Sequence, residues 1–509
     1  MRALISVSDK RGVVEFARSL QELGWQIIAT GGTMTRLRES GIDVINISDV
    51  TGFPEICDGR VKTLHPKVHG GLLGRRDIAD HMAQLEANGI ETIEMVCVNL
   101  YPFEATIAKE GVSMEDAVEN IDIGGPSMLR SAAKNFRDVT VVCDPSDYDT
   151  ILSEIRETGD TLPETRLKLS AKAYTHTALY DSHIASYMRC QAGLDEKLFL
   201  AFDEVQSLRY GENPHQAAMF YRAEEEVPYS VAYAKQLGGK ELSYNNIQDA
   251  NAALQIVREF DEPFAVGLKH MNPCGAATGK DITEAWTKAY EADKVSIYGG
   301  IVAVNRPLDG ETAKLMKPIF LEIVMAPEFT PEALEVFASK KNLRLLQVNM
   351  SKSDSRQKQY VGVTGGLLMQ DADLECKEIT EEMTVTERKP SAAELADMNF
   401  GWRVVKHVKS NAIVVVKNGA TVGVGAGQMN RVGSAEIALE EAKAAGHTEG
   451  LVLASDGFLP FDDTVEFASK YGVTAIVQPG GSIRDEDSVK KANEKCIAML
   501  FTGMRHFKH

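Results

Sequence analysis

The sequence predicts an α/β protein of two parts, a parallel sheet covered by helices and a larger α/β region that follows it. Strand-like and helix-like segments alternate over residues 1–190, a pattern that is typical of parallel sheets with helices on both faces. A long helical pattern at 163–190 then gives way to a polar, glycine-containing stretch at 191–197. We therefore predict domains at 1–197 and 198–509.

The N-terminal strands are short apolar runs, several of them β-branched. We predict them at 1–8, 25–30, 43–50, 94–101 and 138–144. Apolar residues three and four apart predict a helix over 10–23, and a second helix over 31–40 is closed by Gly41.

The C-terminal pattern is more mixed, and we find no internal repeat in it. Strands are predicted at 264–270, 296–304, 319–326, 343–349, 450–455, 473–478 and 497–503. Residues 411–427 predict a hairpin, because Asn418-Gly419 supplies the positive φ angles of a tight turn.

The composition excludes several classes of protein. The chain has 55 Lys and Arg against 73 Asp and Glu, a formal charge of −18, which argues against sequence-independent nucleic-acid binding. No apolar run approaches the roughly 20 residues that span a bilayer, and the charged start does not resemble a signal peptide. The seven cysteines are scattered, without a disulfide or zinc pattern. We expect a cytoplasmic protein that binds neither nucleic acid nor membrane.

Residues 59–71, GRVKTLHPKVHGG, form a cationic stretch without a single acid in this acidic chain. The Thr30-Gly-Gly-Thr33 turn opens a predicted helix, whose N-terminal amides attract anions. Together with Lys10, this turn and the cationic stretch predict a phosphate pocket, and the alternative is a solvated surface loop. His65 and His69 have metal-ligand spacing. However, Pro66 argues against a regular helix there and no acid or cysteine joins them, so a zinc site is not favoured.

The stretch KHMNPCGAA (269–277) concentrates reactive groups between a predicted strand and a predicted helix. Because Lys269 lowers the proton affinity of a neighbouring imidazole, His270 is a candidate general base. The alternative is a loop histidine bound to backbone. Zinc deaminases carry HxE and PCxxC motifs, which this stretch lacks. Two other strand ends, ASDGFLPFDD and QPGGSIRDED, could bind a flat, amide-rich ligand.

Ten motifs, in this order, carry a resemblance over essentially the whole chain: SVSDK, TGGT, GRVKTLHP, NLYPF, DIGGP, LRYGENPHQ, KHMNPCGAA, SNAIVV, GAGQMNRV and ASDGFLPF. The chain resembles the bifunctional purine-biosynthesis family that joins phosphoribosylaminoimidazolecarboxamide (AICAR) formyltransferase to IMP cyclohydrolase. The resemblance implies a methylglyoxal-synthase-like N-terminal domain and a cytidine-deaminase-like transformylase region of two subdomains, without zinc.

The same resemblance implies the reactions and the ligands. A formyl group would pass from 10-formyltetrahydrofolate to the 5-amino group of AICAR, and the product would then close to IMP with loss of water. No metal is implied, and the enzyme would be a homodimer with transformylase sites at the subunit interface.

Site residues follow from the matching motifs. The cyclohydrolase pocket would comprise Ser8, Asp9, Lys10, Thr30, Gly31, Gly32, Thr33, Arg60, Val61, Thr63, Cys97, Asn99 and Ile123. Its catalytic groups would be Lys62, Tyr101, Asp122 and Lys134, the last as proton donor and acceptor. In the transformylase, His270 would be the base, Lys269 its partner and Asn411 the orienting group. The nucleotide would meet Arg209, Tyr210, Gly299, Arg431 and Glu322, and the family often has Asp at this last position. Folate would meet Phe458, Asp463, Ser482 and Arg505.

Two rival functions remain open at this stage. The N-terminal half could be a nucleotide-binding regulatory module fused to a single folate-dependent formyltransferase. Retention of Lys62, Tyr101, Asp122 and Lys134 speaks against that. A glycinamide ribonucleotide-type formyltransferase is the second rival. The stretch LHPKVHGG superficially resembles the HPS loop of that family, but it lies in the wrong half of the chain.

Overall fold

The computed structural model describes residues 1–352 and 357–509, and its internal contacts divide the chain into two compact units, Met1–Ala201 and Phe202–His509. No helix among these described residues is long and apolar enough to cross a membrane.

The N-terminal unit is built on a five-stranded sheet of order β3-β2-β1-β4-β5. Its strands are β1 (Arg2–Val7), β2 (Gln26–Ala29), β3 (Val44–Asn46), β4 (Met95–Asn99) and β5 (Thr140–Val142). Its helices are α1 (Val13–Glu22), α2 (Gly31–Glu39), α3 (Ile47–Thr51), α4 (Pro66–Leu73), α5 (Ala79–Ala87), α6 (Phe103–Ile107), α7 (Met114–Glu119), α8 (Gly124–Lys134), α9 (Tyr148–Thr158) and α10 (Pro163–Gln191). Every strand pair is parallel, which confirms the predicted sheet.

Two local expectations in this unit were wrong. The strand predicted at 43–50 ends at Asn46, because the side chain of Asn46 accepts a hydrogen bond of 3.2 Å from the Ser48 amide and starts α3. Pro66 does not exclude a helix but begins α4. At the first helical position a proline sacrifices no hydrogen bond, and His65 Nδ1 caps the helix by accepting the Lys67 amide at 3.1 Å.

The C-terminal unit contains an 11-stranded sheet of order β20-β19-β18-β16-β17-β10-β9-β11-β12-β13-β8 and two separate hairpins, β6–β7 and β14–β15. Its strands are β6 (Asp203–Leu208), β7 (Ala218–Arg222), β8 (Lys235–Gly238), β9 (Phe264–Lys269), β10 (Asn272–Thr278), β11 (Ile301–Val304), β12 (Ile323–Ala326), β13 (Arg344–Gln347), β14 (Lys358–Val363), β15 (Gly366–Asp371), β16 (Ile413–Lys417), β17 (Ala420–Gly425), β18 (Leu451–Ser455), β19 (Val473–Gln478) and β20 (Ala498–Phe501). Its helices are α11 (Tyr244–Val257), α12 (Ile282–Ala292), α13 (Gly310–Met316), α14 (Pro331–Phe337), α15 (Ala392–Val405), α16 (Arg431–Ala444), α17 (Asp463–Ser469) and α18 (Asp485–Glu494).

All the strands predicted after residue 198 are present, and the β16–β17 hairpin turns at Asn418-Gly419 as expected. The stretch after His270 was not recognised as a strand. From Asn272 onward it pairs antiparallel with β9, so the two residues between these strands form a tight hairpin turn instead of a strand end before a helix.

The large sheet contains an internal repeat that the sequence did not reveal. From α11 to β13 the chain runs α-β-β-α-β-α-β-α-β, and from α15 to β20 it does so again. Outward from the central β10–β17 pair, both halves show two antiparallel contacts and then two parallel ones. Because β10 and β17 are antiparallel, equivalent turns of the two repeats lie at opposite edges of the sheet.

The repeat extends to details of packing. A side chain on Gly275 of β10 would begin 2.0 Å from the carbonyl oxygen of Ala289, and one on Gly423 of β17 would begin 1.9 Å from that of Ala438. Each glycine therefore lets a helix lie close against its strand. Residues of both repeats, including those of α11 and α15, share one buried hydrophobic cluster.

Candidate functional site

The carboxyl ends of β1, β2 and β4 open into a cavity of about 580 Å³ in the N-terminal unit. Ligands of parallel α/β sheets bind at this edge, and the volume suits a small organic ligand. Most predicted residues of this half line it: Ser8, Lys10, Thr30, Gly31, Gly32, Thr33, Arg60, Lys62, Thr63, Asn99, Tyr101, Asp122 and Ile123.

The cationic stretch lies against the Gly31-Gly32 turn, as the phosphate-pocket hypothesis requires. Lys62 Nζ is 3.7 Å from the point where a side chain on Gly31 would begin, and Lys10 Nζ is 3.9 Å from that point on Gly32. Both ammonium groups therefore flank the N-terminus of α2, where backbone amides also attract anions.

The two cations of the loop have acidic partners. Arg60 pairs with Glu119, and Lys62 Nζ lies 2.7 Å from a carboxylate oxygen of Glu55. All four side chains are partly exposed, and such pairs contribute little stability. An anionic ligand can therefore replace the carboxylates without a large cost.

Asn99, at the end of β4, shapes the loop after β1. Its Oδ1 accepts the amides of Ser8 at 2.6 Å and Asp9 at 2.9 Å. The Asp9 carboxylate turns to Arg11 instead of the cavity, and this hydrogen-bonded pair lowers the pKa of Asp9. Asp9 was predicted as a contact, but its side chain lies outside the lining.

Asp122 precedes α8 and is the best-placed acid for proton transfer. Its Oδ1 accepts the Gly125 amide at 2.7 Å, yet burial raises the pKa of the carboxyl above its usual value. Tyr180 of α10 accepts the Asp122 amide at 2.7 Å, and burial raises the pKa of this phenol to about 12. Sequence reasoning missed Tyr180, because nothing in the helical pattern of α10 marks it as a site residue.

Three predicted residues are placed away from the cavity. Cys97 is buried with its Sγ 3.4 Å from the hydroxyl of Tyr148, and burial raises the pKa of the thiol to about 12. Val61 pairs with Ile56 in a single bridge. Lys134 is exposed at the last residue of α8, about 15 Å along the axis from the end that faces the cavity.

In the C-terminal unit, most of the predicted residues collect at one edge of the 11-stranded sheet, and Arg209 and Tyr210 lie in the loop of the separate β6–β7 hairpin. The end of β9 and the beginnings of β10, β11 and β12 meet there, as do the beginning of β16 and the ends of β17 and β18. The segments at this edge carry Lys269, His270, Gly299, Glu322, Asn411, Arg431, Phe458, Asp463, Ser482 and Arg505. We call this set of segments the sheet-edge site.

His270 and Met271 form the turn between β9 and β10, with φ angles of 52° and 64°. The imidazole is exposed, and the Met271 amide donates to Asp249 Oδ1 of α11 at 2.8 Å. Lys269 Nζ donates to the Tyr298 carbonyl at 2.9 Å. A histidine presented at a turn in this way is accessible to a ligand.

A chain of hydrogen bonds connects this turn to the segment before β16. Asn272 Nδ2 donates to the His270 carbonyl at 3.2 Å, and Asn272 Oδ1 accepts the Lys409 amide at 3.0 Å. Two residues further on, Asn411 Oδ1 accepts Arg431 Nη2 at 2.7 Å. Asn272, which the sequence reasoning did not single out, therefore connects the His270 turn to the segment that carries Asn411.

Arg431 is only 7% exposed, and its guanidinium is occupied by protein groups. It binds the fully buried Asp456, and Arg431 Nη1 lies 3.2 Å from Ser455 Oγ. Asp456 was considered for ligand binding from the sequence. Its burial instead makes it the partner that compensates this arginine.

Glu322 also has a protein partner. Its Oε2 accepts Arg344 Nη1 at 2.8 Å and lies 3.5 Å from Asn246 Nδ2. Arg344 begins β13 and carried no motif. The side chain of Glu322 is 35% exposed, so the carboxylate can still meet a ligand at the edge.

Phe458, Ser482, Arg505 and Arg209 lie on loops of the unit, and Asp463 begins α17. Phe458 is 36% exposed, Ser482 Oγ accepts the Arg484 amide at 3.1 Å, and the Arg505 guanidinium lies 4.8 Å from the Phe507 ring centre. Arg209 lies over Tyr210 at 5.7 Å in the β6–β7 loop. Within the described ranges, no three His, Cys, Asp or Glu side chains form a group that could hold a metal ion.

Comparisons with known proteins place both units among characterised relatives. A family model described as "AICARFT/IMPCHase bienzyme" matches residues 132–441, and one described as "MGS-like domain" matches 12–127. The Bifunctional purine biosynthesis protein PurH of Bacillus thuringiensis (strain Al Hakam) is 58% identical over 510 residues, covering 100% of this chain and 99% of its own length. The protein of the same name from Bacillus cereus (strain 03BB102) gives the same values. A solved structure, "Crystal structure of ForH", is 39% identical over 36% of this chain and 95% of its own, with a TM-score of 0.34.

Proposed function

Since this chain belongs to the AICARFT/IMPCHase bienzyme family of bifunctional purine biosynthesis proteins, we propose how its two units divide the two activities. The protein is an AICAR formyltransferase and an IMP cyclohydrolase. We assign ring closure to the cavity of residues 1–197 and formyl transfer to the sheet-edge site of residues 198–509. We further propose that the formyl donor is 10-formyltetrahydrofolate and that the enzyme acts in the cytoplasm.

The observation that carries the cyclohydrolase assignment is the juxtaposition of Lys10, Lys62 and the Gly31-Gly32 turn beside Asp122 in one cavity. The turn and the two lysines would bind the phosphate of the formylated ribotide. Asp122 would then lie near the reacting groups, where its raised pKa favours proton transfer.

Ring closure depends more on positioning the two reacting groups than on acid–base catalysis. The carboxamide nitrogen attacks the formyl carbon, a carbon–nitrogen bond forms, and the formyl oxygen leaves as water after it gains protons. Holding both groups of one molecule in contact supplies much of the acceleration. Lys62 and Tyr101 would stabilise negative charge on the formyl oxygen, and Asp122 would take up or return the proton of the nitrogen.

The role of Lys134 as proton donor and acceptor stays a prediction. Its exposed position at the distal end of α8 offers no direct route to the cavity within this unit. Cyclohydrolase assays of Lys134→Ala and of Lys62→Ala, side by side, decide between a part in chemistry and a position outside it.

In formyl transfer, the 5-amino group of AICAR is a weak nucleophile because it is conjugated to the ring carboxamide. We assign His270 as the base that removes its proton as the nitrogen attacks the formyl carbon. The folate nitrogen must leave protonated, and Lys269 would support that transfer directly or through His270. Asn411 would orient the substrate, and the buried Arg431 would act through Asn411 Oδ1.

The substrate contacts are assigned from two places in the unit. Gly299 and Glu322 of the sheet-edge site, and Arg209 and Tyr210 of the β6–β7 loop, are assigned to the nucleotide. Phe458, Asp463, Ser482 and Arg505 are assigned to the folate, since the exposed aromatic ring of Phe458 offers a flat surface for a pterin.

We propose that the chain forms a homodimer. Among the described residues, the β14–β15 hairpin forms a two-stranded sheet of its own and leaves apolar side chains exposed, among them Val361 at 47% and Leu368 at 61%. An isolated two-stranded hairpin is marginally stable in water, so a second copy is a fitting partner for this surface. Light scattering on wild type and Leu368→Lys tests it, and a monomeric wild type would refute the proposal.

A pair of variants tests the division of activities. We expect His270→Ala to stop tetrahydrofolate release from AICAR and 10-formyltetrahydrofolate, yet still convert supplied formylated intermediate to IMP. Asp122→Ala should release tetrahydrofolate and accumulate the open-ring intermediate. If one folded variant lost both activities, the division would be wrong. If the wild-type N-terminal unit bound the intermediate without closing it, that unit would be a regulatory module instead.

A further inference from the structure

The carboxylate of Asp249, on α11, lies beneath the turn that carries His270. Its Oδ1 accepts the Met271 amide at 2.8 Å. Burial raises the pKa of Asp249, and hydrogen bonds from the Met271 and His270 amides, together with the charges of His270 and Lys409, oppose this rise. The acid therefore binds the backbone of the turn that carries the exposed imidazole.

The turn needs such support because of its conformation. His270 and Met271 both have positive φ angles, 52° and 64°, and neither is a glycine. Each such residue is strained unless its surroundings compensate, and two-residue turns of this kind usually take Asn-Gly. A buried acceptor that binds the turn amides favours this conformation over the alternatives.

In the second repeat, a helix aspartate likewise accepts the amides of a turn, and that turn has the usual Asn-Gly sequence. Asp397 of α15 accepts the amides of Asn418 at 2.8 Å and of Gly419 at 2.7 Å. The two acids and the two turns are each separated by 148 residues. Because the Asn418-Gly419 turn lies at the opposite edge of the sheet, the acid beneath it has a structural task alone. Only in the first repeat does the supported turn carry an imidazole.

We propose that Asp249 is a positioning residue for formyl transfer. It fixes the His270-Met271 turn, so that the imidazole is held where the 5-amino group of the substrate binds. The inference rests on the proposed role of His270 as the base. A displacement of about 1 Å at a reacting group can cost roughly 100-fold in rate, so loss of this support should be visible in kcat.

The test compares Asp249→Ala with the matched control Asp397→Ala in the full-length protein. Tetrahydrofolate release, closure of supplied intermediate to IMP and thermal unfolding are measured on each preparation. We expect Asp249→Ala to lower kcat of formyl transfer by about 10- to 100-fold, with KM within about 3-fold and IMP formation unchanged. Asp397→Ala should lower the melting temperature similarly and leave kcat within about 2-fold. Equal losses of kcat in both variants would overturn the proposal.

Two further variants separate positioning from general destabilisation. Asp249→Asn keeps a hydrogen-bond acceptor and should restore kcat to within about 5-fold of wild type. In a double-mutant cycle, Asp249→Ala combined with His270→Ala should be no slower than His270→Ala alone, because the acid acts through the histidine. An additive loss contradicts the proposal. Should Asp249→Ala fail to fold, Asp249→Ser takes its place in the comparison. Full activity of His270→Ala would instead refute the function assigned to His270.

Discussion

The two repeats of the C-terminal unit build the same turn in the same way, but only one of the turns lies in the sheet-edge site. In both, a helix acid binds the turn amides. In both, a lysine before the turn donates to a backbone carbonyl at 2.9 Å, Lys269 to Tyr298 and Lys417 to Glu449. The repeats differ within and after the turn. His-Met-Asn in the first repeat replaces Asn-Gly-Ala in the second. The repeats share the framework of the turn, and they differ at residues that we propose for formyl transfer.

The largest effect should come from exchanging the turn residues. His270→Asn places a residue that tolerates positive φ at this position, so the fold is retained while the base is lost. We expect formyl transfer to fall about 10²- to 10⁴-fold, and Asn418→His to leave it unchanged. Assays of tetrahydrofolate release on both variants measure this, and comparable losses would show that the edges are not functionally distinct.

The lysines give a sharper comparison, because their hydrogen bonds are alike. Lys269→Met should lower formyl transfer about 100-fold if the ammonium supports proton transfer, whereas Lys417→Met should change it less than about 2-fold. Both variants lose the same bond to a carbonyl, so their melting temperatures should fall together. If their activities also fell together, Lys269 would be only a structural residue.

Asn272→Ala gives the first repeat the residue that the second has at Ala420. It removes the bonds to the His270 carbonyl and the Lys409 amide, and we expect about a 10-fold loss of kcat for formyl transfer. Ala420→Asn is the control and should be neutral. An unchanged kcat in Asn272→Ala would show that the hydrogen bonds between the turn and the Asn411 segment have no part in formyl transfer.

The last prediction concerns stability, through the pair that joins the repeats. Glu259 and His407, again 148 residues apart, meet with His407 Nε2 2.9 Å from Glu259 Oε1. Burial lowers the pKa of His407 to about 4, and His407 lowers that of Glu259 against the effect of its burial. A depressed folded-state pKa gives stability that is present above about pH 6.5 and is lost as pH falls toward 4.

We therefore expect the unfolding free energy to drop by roughly 1–3 kcal/mol between pH 6.5 and 4. Urea titrations of wild type and His407→Gln across this range measure the drop. The variant should show a weaker pH dependence, and an identical one would remove His407 from the acid response.

Much of the N-terminal site could be predicted from the sequence, because glycines, lysines and strand ends mark it locally. The exceptions have a common cause, since Cys97 and Lys134 lie near motifs but outside them, and nearness in the sequence does not say which way a side chain points. The candidate site of the C-terminal unit was harder to predict from the sequence. Asp249, Asn272 and Arg344 act through contacts between segments distant along the chain, and no local pattern predicts these.

The repeat escaped detection for a related reason. Equivalent positions share residues that the backbone requires, such as Gly275 and Gly423 against their helices, whereas the turn residues differ. Because the two repeats, 148 residues apart, have so few identical residues, they are recognised only from the order of the strands in the sheet.

The hydrophobic cluster shared by α11 and α15 has a consequence for how this unit loses its structure. Leu254 and Trp402, one from each half, are both fully buried in it. By comparison, the two halves share little strand pairing, since β10 and β17 pair at Ala277 and Ala420. If either half unfolded, the other half would expose the apolar side chains of this cluster to water. Melting of this unit should therefore be a single concerted event, although the unit is built from two repeats.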